Sequence, residues 1–256
     1  MSTWQMAVLI MGATILTLVL FLFKKQKTES FDDQKFTVLI CGINGKMGAF
    51  LAESLTARFH IIGLDPQGRS TKWPCFSDIT QALEEIPDIM LDFAGAKGID
   101  NIRKALLFQL PVVSGSTGFT EKEIEELVLL AKKQRTSLIL NANFSRGISD
   151  IMEFLSKVKS NYSIKLKEAH HKSKKDAPSG TAKLLSLLLE VNSQDIEVTR
   201  YDDFSPRHTV ELSKQGERII ITHEVFDRSA YLDRIFQALE RASNQFVIQV
   251  NGIDEA

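Results

Sequence analysis

The stretch 36–59, FTVLICGINGKMGAFLAESLTARF, decides the fold class. Its apolar run ends in glycine and is followed by apolar residues at helical spacing, which predicts a strand, a turn and a helix. Glycines 42, 45 and 48 let the backbone turn tightly and approach a pyrophosphate at the start of the helix. The alternative is a glycine-rich turn that holds no ligand.

Asp65 ends the next apolar run and is placed to accept hydrogen bonds from a ribose 2′-hydroxyl. This carboxylate favours NADH over NADPH, because it repels a 2′-phosphate. Arg69 and Lys72 follow closely and soften that preference. The alternative interpretation is an aspartate that merely ends a strand.

Strand-like runs and helical stretches alternate through the first half of the chain. The apolar runs 60–65, 89–95, 110–118 and 137–144 are separated mostly by helical patterns, one of which begins with the capping box of Thr120 and Glu123. This order predicts an α/β fold with a Rossmann-type parallel sheet. We expect the dinucleotide-binding domain to comprise 31–144 and 226–256, the latter through a final helix that returns to it.

The pattern changes after Ser145. A helix, the strand SIKLKEAHH, a second helix and two strands joined at 214–217 are expected there. Residues 145–225 are therefore expected to form a smaller α+β domain, to which the family resemblance given below assigns substrate binding and oligomerisation.

The N-terminal segment 4–23 is an uncharged run of about the ~20 residues that cross a bilayer as a helix. Lysines follow it and none precedes it, which places the catalytic domain in the cytoplasm. Residues 1–30 are thus predicted to be a membrane segment and linker, an N-terminal hydrophobic helix that tethers the protein. The alternative is a misassigned start codon.

Composition argues against a nucleic-acid-binding protein and against a cysteine metal site. A net charge of −1 over 256 residues gives no general attraction to nucleic acid. The two cysteines, 41 and 75, have no metal-ligand spacing, so we expect a reducing compartment and no metal site.

Two loops leave the carboxyl ends of predicted strands, where ligands bind in open α/β sheets. They are GSTG at 115–118 and NANF at 141–144. Both suit contact with a nicotinamide ring or its ribose, although each alone is more typical of an ordinary turn.

The segment 168–183, EAHHKSKKDAPSGTAK, concentrates groups that carry charge and protons. Backbone N–H groups at the helix start 179–181 bind anions such as carboxylates. Lys174 adds a cation, and His170 or His171 titrates near neutrality and can deliver a proton. The alternative is a solvated basic loop before a capped helix.

The first fifteen residues of this segment resemble the signature of the 4-hydroxy-tetrahydrodipicolinate (dihydrodipicolinate) reductase family, E-x-H-H-x-x-K-x-D-x-P-S-G-T-A. The segments CGINGKMG, DFAG, SGSTGFT and NANFSRGI precede it in the family's order. The resemblance therefore covers about 36–228.

The resemblance implies roles for individual residues. His170 is similar to the proton donor or acceptor and Lys174 to the second proton donor, while the substrate carboxylates are contacted by His171, Gly180 and Thr181, with Ser179 at the helix start. The implied cofactor contacts are Gly42, Ile43, Asn44, Gly45, Lys46, Met47, Asp65, Gly115, Ser116, Thr117, Asn141, Ala142, Asn143 and Phe144.

The resemblance also implies an activity and an assembly. The reaction is NAD(P)H-dependent reduction of 4-hydroxy-tetrahydrodipicolinate to tetrahydrodipicolinate with loss of water, in the diaminopimelate route to lysine, by a homotetramer. Asp202 and Pro206 replace glycines of the family pattern, whereas His208 is retained. These departures bear on oligomer geometry more than on chemistry. Two alternatives remain: another two-domain nicotinamide-dependent imine or amino-acid oxidoreductase, and a tethered dinucleotide sensor without turnover.

Overall fold

The computed structural model describes residues 36–70, 72–202 and 205–255. In chain order the strands are β1 (Thr37–Cys41), β2 (His60–Leu64), β3 (Cys75–Phe76), β4 (Ile89–Asp92), β5 (Val112–Ser114), β6 (Leu138–Leu140), β7 (Ser163–His171), β8 (Glu197–Tyr201), β9 (Arg207–Lys214), β10 (Glu217–Glu224), β11 (Ile248–Val250) and β12 (Ile253–Asp254). The helices are α1 (Lys46–Leu55), α2 (Ile79–Glu84), α3 (Ile99–Leu107), α4 (Glu121–Gln134), α5 (Arg146–Val158), α6 (Gly180–Leu189) and α7 (Leu232–Asn244).

Eight strands form the large sheet, in the order β12-β11-β6-β5-β4-β1-β2-β3. All neighbours pair in parallel except β11 and β12, which pair antiparallel. The strand order reverses between β1 and β4, and ligands bind in such sheets at the carboxyl ends of the strands beside this reversal. The predicted Rossmann-type parallel sheet is therefore confirmed.

The central strand β1 shows why the sheet lies inside the domain. All five of its residues are buried. Leu39 packs into a core shared with helices α2, α3 and α4, whereas Val38 and Ile40 pack into a second core with α1 and α7. Because successive side chains of a strand point to opposite faces, an uninterrupted apolar run is what a sheet covered on both faces requires.

The small sheet has the order β10-β9-β7-β8. Strand β7 pairs antiparallel with β9 and parallel with β8. Leu166, Val210 and Leu212 pack on one face of this sheet against Leu155 of α5 and Leu185 of α6. The expected second unit of mixed α and β structure is confirmed.

The end of the chain lies in the large domain. Helix α7 contributes Ile235 and Leu239 to the core on one face of the large sheet, and β11 pairs with β6. At the opposite face, α4 begins with the predicted capping box, in which Glu123 N–H donates to the Thr120 hydroxyl and Thr120 N–H donates to the Glu123 carboxylate.

The predicted membrane segment 4–23 lies outside the described residues. Within the ranges that are described, no helix combines the length and the apolar character needed to span a bilayer.

Candidate active site

The turn after β1 is shaped for an anion. Gly42 has a φ of +80°, and a Cβ atom there would lie 3.1 Å from the carbonyl oxygen of Phe93. Gly45 N–H donates to the Gly42 carbonyl at 2.9 Å, which closes the turn. Helix α1 starts at once, with no side-chain cap and no acidic residue in its first turn. Its free N–H groups and positive helix end therefore fit the pyrophosphate of a dinucleotide.

Asp65 follows β2 beside this turn and is half-buried. Its carboxylate accepts a hydrogen bond from Gln67 N–H at 3.2 Å. Asn44 donates to the backbone carbonyl of Arg69 at 2.8 Å, so the glycine turn and the loop after β2 are joined. Lys72, the other nearby cation, is paired with Glu53 on α1. The carboxylate of Asp65 thus lies beside the glycine turn, and one adjacent cation, Lys72, forms an exposed ion pair with Glu53.

A buried aspartate anchors the loops that follow β4 and β5 through hydrogen bonds. Asp92 is fully buried at the end of β4 and accepts hydrogen bonds from the Ser114 hydroxyl at 2.6 Å and from Ala94 N–H at 3.2 Å. Gly95 N–H donates to the Ser116 hydroxyl at 2.8 Å. Burial raises the pKa of Asp92 above its usual range, although these hydrogen bonds act against the shift.

The loop after β6 connects the two domains. The side-chain oxygen of Asn143 accepts from Ser145 N–H at 2.7 Å, and its amide donates to the hydroxyl of Thr181 on α6 at 2.8 Å. Ala142 N–H donates to the side chain of Asn251, next to β11. Residues predicted to contact cofactor and residues predicted to contact substrate are therefore in direct contact.

A cavity of about 270 Å³ opens between the two domains. The predicted site residues that line it are Met47, Gly115, Thr117, Ala142, Asn143, Phe144, His170, Lys174, Ser179, Gly180 and Thr181. Those that lie elsewhere are the turn residues Gly42, Ile43, Asn44, Gly45 and Lys46, together with Asp65, Ser116, Asn141 and His171.

The glycine turn, Asp65 and His171 lie outside the cavity at positions that the fold defines. The turn 42–46 and Asp65 lie where the distant half of a dinucleotide would bind, at the carboxyl ends of β1 and β2. His171 is the neighbour of His170 on β7 and therefore points to the opposite face of the sheet. Its Nδ1 atom is 2.8 Å from the Ser173 hydroxyl.

Alternation along β7 places Glu168 and His170 together on the buried face. They are 2 % and 5 % exposed, and Nδ1 of His170 lies 3.5 Å from Oε2 of Glu168. Burial would raise the pKa of Glu168, but hydrogen bonds from Ser179 N–H and Arg200 outweigh it, so the pKa lies below its usual range. Burial lowers the pKa of His170, and the charge of Glu168 partly opposes that shift.

The loop after β7 holds Lys174 at the cavity. Its ammonium group is 2.9 Å from the carboxylate of Asp176, and its backbone N–H donates to the carbonyl of His171. Arg200 on β8 donates to the carbonyl of Asp176 at 2.7 Å and to the carboxylate of Glu168 at 3.0 Å. Arg200 therefore fixes this loop to Glu168 on β7.

Helix α6 begins at the cavity with Ser179 as its N-cap. The Ser179 hydroxyl accepts from Ala182 N–H at 3.2 Å and lies 3.1 Å from Nε2 of His208. The Ser179 side chain also hydrogen-bonds to the Glu168 carboxylate, so the hydroxyl lies between Glu168 and His208. Burial lowers the pKa of His208 to about 3. His208 is accordingly neutral. Gly180 and Thr181 lie in the first turn of the helix. Their N–H groups therefore have no acceptor within the helix.

Glu168, His170 and His208 each offer a metal-ligand atom, and these atoms all lie within 4.8 Å of one another. However, both oxygens of Glu168 already accept hydrogen bonds, one of them from Arg200. A metal ion would lie beside that guanidinium. We therefore interpret the cluster as a proton-carrying network.

Several cavity residues were not predicted from the sequence. They are Phe93, Pro206, His208, Val225 and Tyr231. Glu168 was also not predicted as a site residue, although side chains alternate along β7 and place it on the same face as His170. Arg200 carries no local signal, because it reaches the site only through the pairing of β8 with β7.

The fold and the cavity define a class. A glycine turn and an acidic residue beside a parallel-sheet reversal are features of nicotinamide dinucleotide sites. A histidine, a lysine and a helix N-terminus face that crevice across the cavity. Together they describe a two-domain, nicotinamide-dependent oxidoreductase.

Sequence comparison makes the assignment specific. Residues 36–144 match the family described as dihydrodipicolinate reductase, N-terminus, and residues 147–253 match dihydrodipicolinate reductase, C-terminus. The chain belongs to the dihydrodipicolinate reductase family.

Individual relatives agree with this. The 4-hydroxy-tetrahydrodipicolinate reductase of Methanoregula boonei is 28 % identical over 234 residues, covering 78 % of this chain and 90 % of its own length. That of Methanocorpusculum labreanum is 30 % identical over 228 residues, covering 76 % and 88 %. Among solved structures, the dipicolinate-bound dihydrodipicolinate reductase from Paenisporosarcina sp. TG-14 has a TM-score of 0.68 at 20 % identity and covers 85 % of this chain and 98 % of its own.

Proposed function

We propose that the protein reduces 4-hydroxy-tetrahydrodipicolinate to tetrahydrodipicolinate with loss of water, in the diaminopimelate route to lysine. The observation that carries this proposal is the shared cavity, in which His170, Lys174 and the start of α6 face the loop of Thr117 and the loop of Asn143. Overall, the substrate ring loses one water and gains one hydride and one proton. The site therefore has to hold two carboxylates and deliver a proton.

The nicotinamide cofactor supplies the hydride when it is bound. The chain's own residues supply the rest. The Gly42 turn and α1 hold the pyrophosphate, and the loops after β5 and β6 orient the nicotinamide end. Domain contact through Asn143 and Thr181 fixes the distance between the two binding regions. Such orientation lowers the entropic part of the barrier.

The substrate side is organised for anions and for proton transfer. The N–H groups of Gly180 and Thr181 bind one carboxylate, aided by the positive end of α6. Lys174 attracts the dianion and acts as the second proton donor. His170 transfers the proton as general acid. The side chain of His171 lies on the opposite face of β7 and outside the cavity, so the carboxylate contact that the resemblance implies for it is not part of this proposal.

For the cofactor, we propose that NADH is used at least as well as NADPH. Asp65 repels a 2′-phosphate, and the exposed ion pair with Glu53 weakens the attraction that Lys72 offers to that phosphate. Arg69 is exposed and is the cation left to weaken the preference.

The decisive experiment is a coupled assay. The purified full-length chain is added to freshly made 4-hydroxy-tetrahydrodipicolinate, and consumption of NADH and of NADPH is followed separately. Turnover that stops when the substrate is omitted supports the proposal. Binding of either cofactor without turnover would favour the dinucleotide sensor, and turnover with a monocarboxylate imine alone would favour another oxidoreductase.

We also propose a homo-oligomer, a tetramer by family resemblance, assembled through the small domain. One face of its sheet packs against α5 and α6. The other carries Lys165, Thr209 and Thr222, with Ile220 53 % exposed. Sedimentation of the wild type and of Ile220→Asp would test this, since a charge inside the interface should favour the monomer.

The membrane tether remains a separate proposal that rests on the sequence of 4–23 alone. The full-length chain should sediment with membranes, whereas a chain that starts at Ser30 should not. Equal amounts of both chains in the supernatant would refute the tether.

A further inference from the structure

The site contains a buried carboxylate to which the reaction assigns no task. Glu168 has 2 % of its surface exposed and lies beneath the cavity, two residues before His170 on the same face of β7. Its Oε2 atom is 3.5 Å from Nδ1 of His170. That nitrogen is buried and has no hydrogen-bond partner within the described chain, and the carboxylate of Glu168 lies beside it.

Glu168 is held in one orientation from two sides. Ser179 N–H donates to Oε2 at 3.0 Å, and Arg200 donates to Oε1 at 3.0 Å. These bonds favour the charged carboxylate, which burial alone would disfavour. A fixed negative charge therefore faces the inner nitrogen of His170.

Arg200 connects this carboxylate to the second proton donor. The same terminal nitrogen that binds Glu168 donates to the carbonyl of Asp176 at 2.7 Å, and the carboxylate of Asp176 binds Lys174 at 2.9 Å. The guanidinium of Arg200 thus connects strand β8 to strand β7 and to the loop that carries Lys174 and Asp176. Movement of Glu168 would disturb both proton donors together.

His208 limits where the proton can go. Its ring lies 5.1 Å from that of His170 in an edge-to-face arrangement. Its Nε2 lies 3.8 Å from Oε2 of Glu168, farther than Nδ1 of His170, and burial lowers its pKa to about 3, so His208 is neutral. The charged or titratable groups around His170 are Glu168 on its own strand, Lys174 and Asp176 on the loop, Arg200 on β8 and His208 on β9.

We propose that Glu168 is a positioning residue that fixes the Nδ1–H tautomer of His170, so that Nε2 faces the cavity and carries the transferred proton. This rests on the proposed function for the identity of the reaction. A carboxylate behind an imidazole both selects the tautomer and stabilises the imidazolium. Arg200 keeps that carboxylate in place.

The test compares Glu168→Gln with Glu168→Asp. Glutamine removes the charge that favours protonated His170, so the alkaline limb of the kcat profile should move to lower pH by about one unit or more, since a nearby opposite charge shifts a pKa by ~1–3 units. At neutral pH kcat should fall, whereas the KM for NADH should not change. Aspartate keeps the charge and should shift the limb less.

A readout independent of turnover is ¹⁵N NMR of the histidines, of which the chain has five. His170→Asn identifies the resonance. We expect neutral His170 to carry its proton on Nδ1 in the wild type and in Glu168→Asp. In Glu168→Gln we expect that tautomer to be lost and the pKa of His170 to be lower. If the wild type shows the tautomer but no turnover, the proposed function fails and the positioning role stands.

The matched control is Glu123→Gln, a glutamate whose pKa is also lowered by hydrogen bonds but which lies at the start of α4. This substitution should leave both the alkaline limb of the kcat–pH profile and the His170 resonance unchanged. A Glu168→Gln variant with the wild-type limb and tautomer would overturn the proposal. So would an Nε2–H tautomer in the wild type.

Discussion

The methyl group of Thr117 lies against the backbone of Gly180, so closely that a Cβ atom on residue 180 would be 2.6 Å from it. Thr117 belongs to the loop after β5 of the large domain, and Gly180 opens α6 of the small domain. The start of α6 therefore approaches the loop after β5 so closely that a side chain on residue 180 would collide with it. Both residues line the cavity between the domains.

Gly180→Ala should accordingly impair catalysis more than folding. The added methyl group has to displace Thr117 or α6, either of which misplaces a bound carboxylate relative to the nicotinamide. We expect kcat/KM to fall about 10²-fold, the scale of loss for a misplacement of ~1 Å. Steady-state kinetics and thermal unfolding together would measure this.

Thr117→Ser provides the rescue for that prediction. It removes the methyl group that clashes, so the double variant should recover part of the activity that Gly180→Ala loses. Equal activity of the wild type and Gly180→Ala would show that this contact does not set the geometry of the site.

Sequence patterns gave the strand, turn and helix around Gly42 and the parallel sheet, because each depends on local periodicity. They also placed Lys174 and the start of α6 at one site, since both belong to one continuous segment. The strands β3, β8, β11 and β12 were missed, because CF, EVTRY, IQV and ID form no continuous apolar run of the kind that marks β1 and β2. The link between β8 and β7 was missed with them.

The position of His171 illustrates a second limit. Sequence spacing puts it next to His170, and the family signature treats the two as one pair. Strand geometry separates them, since adjacent residues of β7 face opposite sides of the sheet. Arg200 shows the converse: it is 32 residues from Glu168 in the chain but hydrogen-bonds to it.

The cofactor prediction rests on Asp65. The wild type should use NADH at least as well as NADPH, and Asp65→Ala should raise the NADPH preference by about tenfold, equivalent to ~1.4 kcal/mol, because it removes the charge facing a 2′-phosphate. The measurement is the ratio of kcat/KM for the two cofactors. Exclusive use of NADPH by the wild type would contradict the assignment.

Asp195→Ala is a suitable control for that experiment. Asp195 is an exposed aspartate of the small domain, in the segment between α6 and β8. Its loss should leave the cofactor ratio as it is in the wild type.

Stability should depend on pH through Asp92. Burial raises its pKa in the folded protein above the unfolded value, so the fold favours the protonated form. The resulting penalty is absent below the unfolded pKa, near pH 4, and grows as pH rises toward the folded pKa. Asp92→Asn stays neutral, so the free energy of unfolding of the wild type should fall relative to that of this variant as pH rises above about 4, by ~1.4 kcal/mol per pH unit while folded Asp92 remains protonated. The variant's Tm should rise relative to the wild type in the same direction.

Scanning calorimetry across that range measures the difference in Tm directly. Asp78→Asn supplies a control of opposite sign, because hydrogen bonds from Thr80 lower the pKa of Asp78. Any advantage of Asp78 over asparagine should therefore be present above pH 4 and disappear as pH falls. If Asp92→Asn loses stability as pH rises, Asp92 is a charged group that the fold requires.

The last prediction separates proton transfer from substrate binding. His170→Ala and Lys174→Ala remove the two groups placed to donate protons, so both should mainly lower kcat, by about 10²- to 10⁴-fold. Thr181→Val removes a hydroxyl at the start of α6 and should mainly raise KM, since its contact with a carboxylate is the same in ground and transition states. Steady-state kinetics of the three variants distinguishes these effects.

Two measurements make that comparison decisive. Fluorescence titration of NADH should give wild-type affinity for all three variants, because the pyrophosphate binds at the Gly42 turn of the other domain. Thr181→Ser keeps the hydroxyl that accepts from Asn143 and should restore KM. If His170→Ala and Lys174→Ala turn over at the wild-type rate, neither group donates a proton and 168–183 is a basic loop before a capped helix. A Thr181→Val variant that lowers kcat with an unchanged KM would instead show that the Asn143–Thr181 bond holds the domains in the reactive arrangement.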